Sequence, residues 1–403
     1  MQKIVITLVS VLLILNVVAQ QKNSTSSQQL TFEKIGLDKA IAKAKANKKL
    51  VYLYFTDTNC TSCKKMEKNI FNKNEVFDTY NSSFINIKLV DIQSNLSIKK
   101  KYKITSIPTH LFINGNGEVV HKAVGPYEMH PFVELASTAL NPTENLAGLR
   151  KEFNTNPSKM ENNRMYNYLM ILYNAGENYQ NVASCYFANL EERAFYNPEI
   201  LKSVYLLSKS VVSREFRMLT TKYQEVYFGY EFAEVKFHII NLMCQHVIEA
   251  EKKNPALFYR DTLTRLCEYL SIPYDEPLAS WANILHSKEI THETQGYYEN
   301  LIAFVNSNFD MFPLSKKIDL ANEIAENSKD SRHKEEALRW MQISFERNQD
   351  PQILLSMAVA LFYNNKIDEA FGLLHSAEQF AMDRGEDLSE QVNMYKKRFG
   401  LEK

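Results

Sequence analysis

The segment Asp57-Thr58-Asn59-Cys60-Thr61-Ser62-Cys63-Lys64-Lys65 decides the fold, because it sets two cysteines one helical turn apart directly after an apolar run. That run, residues 50–55, is rich in bulky aromatic and β-branched side chains and predicts a buried strand. After the segment, apolar residues recur at three- and four-residue spacing and predict one or two amphipathic helices: Met66, Ile70, Phe71, Val76, Phe77 and Tyr80. The cysteines therefore lie at a strand-to-helix junction.

The position of this pair suits redox chemistry. A helix N-terminus presents unpaired N–H groups and the positive end of the helix dipole, and both stabilise Cys60 as a thiolate. Lys64 and Lys65 add positive charge nearby. The thiolate is the species that attacks disulfides, and cysteines at helix N-termini have pKa values lowered from the free value of about 8.5. We therefore predict Cys60 as the nucleophile and Cys63 as the thiol that resolves the mixed disulfide.

A second motif follows some way downstream, at Ile104-Thr-Ser-Ile107-Pro108-Thr109. It precedes the apolar run 111–113, the turn 114–117 and a second apolar run. Asn-Gly between two apolar runs is a strong hairpin signal. Proline cannot donate to a strand ladder, so at the start of a strand it indicates an edge, a bulge or a cis turn. The segment predicts two antiparallel strands with Pro108 at the mouth of the first.

Together these features resemble the thioredoxin superfamily over residues 32–140. The run Cys60-X-X-Cys63-Lys-X-Met-Glu, followed by Phe71, Val76 and Phe84, is similar to the periplasmic branch that includes the C-terminal domain of the membrane thiol:disulfide interchange protein. The resemblance implies an α/β thioredoxin-like fold, a central mixed sheet flanked by helices. It also implies a redox disulfide, Cys60–Cys63, and no bound cofactor.

The same resemblance assigns roles to the proline segment. It implies that Pro108 is cis and that the backbone of Ile107 pairs with an extended substrate peptide across from Cys60, which is β-strand addition at an active site. Thr109 completes the expected substrate-binding segment. Isoleucine before the proline is associated in the family with reductases more than with strong oxidants, so we expect the reductase or isomerase direction.

The sequence also departs from thioredoxin around the cysteines. Asn59 replaces the family's tryptophan, and Thr61-Ser62 replaces its Gly-Pro pair. Tyr54 stands where thioredoxin has a buried aspartate, and Ile87 stands at the position of that aspartate's lysine partner. Glu67 remains, one turn past Cys63, where the interchange-protein domain also has a carboxylate. Two interpretations stay open for Glu67: a proton-transfer group, or an exposed helix glutamate.

The N-terminus predicts export. In residues 1–19 a lysine precedes an apolar run that ends in small residues, which is typical of a secretory signal peptide and shorter than the ~20 residues of a membrane span. Residues 20–29 are polar, and we predict a flexible linker over residues 20–31. We expect a periplasmic protein without stable membrane insertion, with secretion or a signal anchor as the alternatives. A cysteine pair outside the cytosol is catalytic or structural.

Composition and the remaining cysteines limit other functions. The 403 residues carry a formal charge of zero, which gives no support for nucleic acid as a partner. No histidine spacing or second cysteine pair indicates a metal site, so none is expected. Cys185, Cys244 and Cys267 lie in apolar helical surroundings and are expected to be free buried thiols, with a Cys244–Cys267 bridge left open.

Residues 144–403 predict an all-α domain, because helical spacing replaces strand-like alternation throughout. Near its end Glu336-Ala337-Leu338 and Glu369-Ala370-Phe371 stand 33 residues apart. That period resembles the 34-residue tetratricopeptide repeat of paired helices. We therefore predict a helical-repeat domain that is tetratricopeptide-like over residues 333–403.

These features predict an exported thiol–disulfide oxidoreductase that exchanges disulfides with cysteine-containing client proteins and with a redox partner protein. The helical domain would then select or tether the client. The alternative is an adaptor or binding protein whose helical domain binds a partner and whose thioredoxin-like domain is chiefly architectural, with vestigial redox activity.

Overall fold

The computed structural model describes residues 29–58, 60–90, 95–292, 296–384 and 388–400. The predicted signal peptide 1–19 and most of the predicted linker 20–31 lie outside these ranges. The chain divides into two compact units between Asn178 and Tyr179. Among the helices in the described ranges, none combines the length and the apolar character that crossing a bilayer requires.

The first unit is built on a four-stranded mixed sheet with the strand order β2-β1-β3-β4. Its strands are β1 (Leu50–Thr56), β2 (Phe84–Val90), β3 (Thr109–Ile113) and β4 (Val119–Val124). Strand β1 pairs with β2 in parallel and with β3 in antiparallel, and β4 completes the predicted hairpin with β3. The central strand β1 is buried on both faces, which explains its almost continuous apolar sequence.

Helices cover both faces of this sheet. Alternate residues of β1 point to opposite sides, so Tyr52 and Tyr54 enter one core cluster whereas Leu53 enters the other. The tyrosine side is covered by α2 (Thr61–Asn69), α3 (Asn74–Ser83) and α5 (Met129–Leu140), and the other side by α1 (Leu37–Asn47) and α4 (Leu96–Lys101). The predicted α/β architecture is therefore confirmed.

Two further helices, α6 (Leu146–Thr155) and α7 (Asn162–Asn174), belong to the same unit and pack against strand β4. A 3₁₀ turn joins them at Pro157–Lys159. The Leu146 N–H donates to His121 Nδ1 on β4 at 3.1 Å. An unpaired strand edge favours unwanted pairing with other chains. These helices lie beyond the boundary predicted at residues 140–144, yet they cover the open edge of the sheet.

The second unit, from Tyr179 onward, is helical in every regular element of its described residues, as predicted. Its α-helices run in chain order as α8 (Gln180–Ala188), α9 (Pro198–Leu207), α10 (Arg214–Lys222), α11 (Phe232–Lys253), α12 (Tyr259–Leu270), α13 (Glu276–His286), α14 (Tyr297–Ser307), α15 (Leu314–Asn327), α16 (Ser331–Arg347), α17 (Pro351–Tyr363), α18 (Ile367–Asp383) and α19 (Ser389–Arg398). Short 3₁₀ or π segments lie at Glu192–Tyr196, Ser287–Thr291 and Phe309–Met311.

The predicted repeat falls on two helices of equal length. Helices α16 and α18 each contain 17 residues, and the alanine of each Glu-Ala pair, Ala337 and Ala370, is fully buried. Small residues at such positions allow neighbouring helices to approach closely, as helix α17 does to both. The pair Glu369-Ala370 opens its helix, whereas Glu336-Ala337 lies in the second turn. A tetratricopeptide-like repeat stays a prediction.

Candidate active site

The cysteine pair lies where strand β1 passes into helix α2. Cys60 is the N-cap of α2, and its Sγ accepts a hydrogen bond of 3.2 Å from the Cys63 N–H. The two residues form a disulfide with their Cα atoms 5.2 Å apart. Cys60 is 7% exposed and Cys63 is 1% exposed. Cys60 is therefore the more exposed residue of the pair.

The proline segment lies at the same end of the sheet as the cysteines. The Ile107–Pro108 peptide bond is cis. Thr109 pairs with Phe55, near the end of β1, so Pro108 stands beside the chain that leads to Cys60. Half-buried Ile107 packs against the core cluster that contains both cysteines. The fold thus brings together two motifs that are far apart in sequence.

Thr109 itself lies inside the sheet. Its side chain is fully buried, and its hydroxyl donates to the carbonyl oxygen of Ser106. It pairs with Phe55 on one side and with Val124 on the other. Thr109 consequently supports the proline turn from within, whereas Ile107 keeps part of its surface at the outside.

Beneath Cys63 a tyrosine, a carboxylate and a lysine form one group. The Tyr54 hydroxyl donates to the carbonyl oxygen of Cys63 at 3.4 Å. Burial, and next the charge of Glu67, raises the pKa of Tyr54 well above its ordinary value. Lys88 Nζ donates to Glu67 Oε2 at 2.6 Å and lies 6.0 Å from the centre of the Tyr54 ring. Glu67 is about one-third exposed and forms an ion pair with Lys88. It is therefore neither a fully exposed helix glutamate nor a buried carboxylate, and both interpretations of the sequence stay open.

The sequence analysis noted Tyr54 only as a departure from thioredoxin, and it missed Lys88. The expected lysine position was Ile87, but Ile87 is buried in the opposite core cluster. The parallel register of β1 and β2 places Lys88 directly beside Tyr54. The signal was present in the sequence, because Lys88 is the one charged residue in the run Phe84–Val90.

A buried histidine, His110, is connected to the proline turn through Gly125. His110 is fully buried, with Nδ1 2.8 Å from the Tyr52 hydroxyl and Nε2 3.1 Å from the Gly125 carbonyl oxygen. Burial lowers the pKa of His110 to about 4, so the ring is neutral at pH 7. A neutral ring satisfies both contacts when Nε2–H donates to Gly125 and Nδ1 accepts from Tyr52. The Gly125 N–H in turn donates to the Pro108 carbonyl oxygen at 2.9 Å.

The remaining cysteines belong to the second unit. Cys185 is half-buried, and Cys244 and Cys267 are buried free thiols. Burial raises the pKa of Cys267 to about 11, and it raises the pKa of Cys244 further. Within the described ranges no cluster of histidine, cysteine and acidic residues could hold a metal ion.

Comparison with known proteins agrees with this geometry. Residues 37–138 match a family model described as a thioredoxin-like domain. Residues 37–138 form a thioredoxin-like domain. A thioredoxin-like domain with a disulfide-forming cysteine pair fits a thiol–disulfide oxidoreductase at the general level. No curated protein gives a significant match to the chain.

Solved structures also match part of the chain, among them the following three. A candidate disulphide isomerase from Bacteroides thetaiotaomicron is 27% identical, with 29% of this chain and 98% of that chain covered and a TM-score of 0.27. A DsbH oxidoreductase is 21% identical, with 30% of this chain and 90% of that chain covered and a TM-score of 0.26. A thioredoxin from Thermus thermophilus is 18% identical, with 32% of this chain and 97% of that chain covered and a TM-score of 0.27.

Proposed function

We propose that this protein is an exported thiol–disulfide oxidoreductase acting on client proteins. The observation that carries the proposal is the position of Cys60, which caps helix α2 at the sheet end where the Ile107–Pro108 turn lies. In the reduced protein the free N–H groups of the first helical turn would stabilise the Cys60 thiolate. The Ile107 backbone would align an extended client segment opposite that sulfur.

The proposed reaction has two exchange steps. The Cys60 thiolate attacks one sulfur of a client disulfide, forms a mixed disulfide and releases the other client sulfur as a thiolate. Cys63 then loses its proton and attacks Cys60 Sγ, which forms the Cys60–Cys63 disulfide and releases the second client thiolate. The client gains two electrons, and the protein is oxidised. A dithiol partner protein would restore the reduced pair, and no bound cofactor takes part.

Glu67 is the proposed acceptor of the Cys63 proton. Cys63 is almost fully buried, so its proton needs a polar group close to the helix. Residues four apart on a helix share a face, which places Glu67 on the same side of α2 as Cys63. Tyr54 contacts the backbone of Cys63, and Lys88 holds the carboxylate of Glu67. Carboxylates placed in this way serve as general bases in proteins.

Export and the role of the helical residues 144–403 belong to the same proposal. Residues 1–19 would direct the chain to the periplasm. The helical domain, tetratricopeptide-like over residues 333–403, would select or tether the client, because helical-repeat arrays present extended binding surfaces. Exposed aromatic side chains of the second unit, such as Tyr227 and Phe232, are compatible with that role.

Insulin reduction by the purified protein tests the proposal. We expect the wild type to reduce insulin with dithiothreitol as the electron source and Cys60→Ser to be inactive. Cys185→Ser is the matched control, because it removes a thiol outside the thioredoxin-like domain and should retain full activity. Cys63→Ala should accumulate mixed disulfides with clients. If wild type and Cys60→Ser are equally inert towards several disulfides while a partner co-purifies through the helices, the adaptor function replaces this proposal.

A further inference from the structure

A cleft of about 500 Å³ lies beside the sheet edge that α6 and α7 cover. Strand β4 forms its floor, and helices α5 and α7 form its walls. We call it the α7 cleft. Its lining combines half-buried aromatic and aliphatic side chains with exposed amides, among them Tyr127, Met170, Ile171, Asn167 and Asn174. Clefts of this size take ligand groups in many proteins.

The charged groups at the α7 cleft are largely engaged within the protein. Lys122 Nζ donates to the Lys103 carbonyl oxygen at 2.9 Å, and Glu144 forms an ion pair with Arg164. His121 accepts from the Leu146 N–H, and burial lowers its pKa to about 4, so it is neutral at pH 7. The surface that remains to an incoming molecule is mainly apolar side chains and amides, together with the exposed carboxylate of Glu134 on α5, and it suits an apolar group on a polypeptide.

The α7 cleft lies next to the proline turn of the candidate active site. Tyr127, at its near end, meets the His110 ring edge-on with the ring centres 5.5 Å apart. His110 contacts the Gly125 carbonyl oxygen, and the Gly125 N–H is bonded to Pro108. Gly125 has a φ of +99°, and a Cβ built there would meet no atom within 4 Å. Gly125, between the proline turn and Tyr127, therefore has open space where a Cβ would lie.

We propose that the α7 cleft binds an apolar side chain of the client polypeptide, a few residues from the half-cystine that Cys60 attacks. The inference rests on the proposed function and names a specificity subsite for it. A client segment aligned on Ile107 would continue over Gly125 and place that side chain between Tyr127 and Met170. Helix α7 would thereby favour clients with aliphatic residues near their disulfides.

Peptide binding to the full chain tests this subsite without any redox turnover. The probe is a short fluorescein-labelled peptide with a central serine in place of cysteine and leucines on both sides, measured by fluorescence anisotropy. Met170→Glu should weaken its binding at least about tenfold, equivalent to about 1.4 kcal/mol. Asn167→Trp, which fills the cleft from an exposed position, should weaken it as well. Asn163→Glu, the matched control on an exposed part of α7, should bind as the wild type does.

The two proposals fail in different ways in this experiment. Any of three results would overturn the subsite. The first is unchanged peptide binding in both Met170→Glu and Asn167→Trp. The others are equal binding of a peptide with serines in place of the leucines, and no peptide binding to the wild type. The same proteins are assayed with bis(2-hydroxyethyl) disulfide, which is too small to reach from Cys60 to the cleft. The control Asn163→Glu should reduce it at the wild-type rate, because Asn163 does not line the cleft. Equal inactivity of wild type and Cys60→Ser on this compound would overturn the proposed function instead.

Discussion

Tyr54 donates a hydrogen bond of 3.4 Å to the main-chain carbonyl oxygen of Cys63, from the strand position where thioredoxin has a buried aspartate. The hydroxyl thus supports the backbone of the buried cysteine. Because the pKa of Tyr54 is raised by burial and by Glu67, this hydroxyl stays protonated over the physiological range and cannot itself be the base for Cys63. We propose the carboxylate of Glu67, which is hydrogen-bonded to Lys88, for that task.

Replacing Tyr54 by phenylalanine should therefore affect stability more than catalysis. The change removes one buried hydroxyl and its long hydrogen bond, so we expect the free energy of unfolding to fall by about 1 kcal/mol. Urea denaturation of the oxidised protein measures this loss. Insulin reduction should stay within about threefold of the wild type, since the proposed general base, Glu67, is retained. A much larger loss of activity at unchanged stability would instead make Tyr54 part of the proton path.

Glu67→Gln should slow the resolving step. The amide cannot accept the Cys63 proton, so we expect release of the client from the mixed disulfide to slow by at least about tenfold. Quenched-flow trapping of the mixed disulfide measures this step directly. Glu75→Gln, the same change at an exposed glutamate of helix α3, is the control and should have no effect. Equal release rates in Glu67→Gln and the wild type would leave Glu67 as an ordinary helix glutamate.

Acid should destabilise the thioredoxin-like unit through its buried histidines. Burial lowers the pKa of both His110 and His121 to about 4, from 6.5 in the unfolded chain. Below pH 6.5 the unfolded state binds protons that the folded state does not. The free energy of unfolding therefore decreases as the pH is lowered from 6.5 to about 4, and it levels off below that pH. Each histidine contributes at most about 3 kcal/mol to this fall.

Urea denaturation at a series of pH values between 7 and 4 checks the histidine effect. His110→Gln should lower stability at pH 7 but make the remaining pH dependence shallower. His130→Gln, at an exposed histidine of the same unit, should leave the pH dependence as it is in the wild type. A wild-type unfolding free energy that is constant over this range would contradict the buried neutral state of both rings.

Gly148→Ala should destabilise the junction that leads into helix α6. A Cβ at Gly148 would lie 2.1 Å from the backbone carbonyl oxygen of Pro142, which cannot move away as a flexible side chain can. We expect a loss of about 2 kcal/mol or more in the free energy of unfolding. Gly36→Ala, at a glycine with open space around it, meets no such clash and should lower the free energy of unfolding clearly less. Equal unfolding midpoints for the two variants would contradict the close approach at Gly148.

The fragment 29–178 should fold on its own, whereas the fragment 29–144 should be much less stable. The shorter fragment lacks α6 and α7, whose fully buried Leu146, Leu149 and Leu169 would be lost from the sheet edge. Each buried leucine contributes about 1.5–3 kcal/mol, so the difference should amount to several kcal/mol. Circular dichroism during urea titration measures it. Coincident transitions for the two fragments would favour the boundary near residue 140 that the sequence predicts.

Local patterns in the sequence determined the core of the fold and the chemistry of the candidate site. The cysteine pair after an apolar run, the Asn-Gly hairpin and the helical spacing of the C-terminal residues each arise from neighbours along the chain. Such features depend on secondary-structure period and turn chemistry, which a short stretch encodes by itself. Cys60, Cys63 and Pro108 could therefore be named without coordinates, as could the all-α character of the second unit.

Only the tertiary structure decided which distant residues surround the cysteines. Lys88 rather than Ile87 lies beside Tyr54 because the register of two parallel strands sets the partner, and a one-residue shift moves a side chain to the other face. Helices α6 and α7 pack against β4 in the first unit. This arrangement depends on packing between residues that are remote in sequence. Local periodicity carries no information about either relationship, so both had to come from the folded chain.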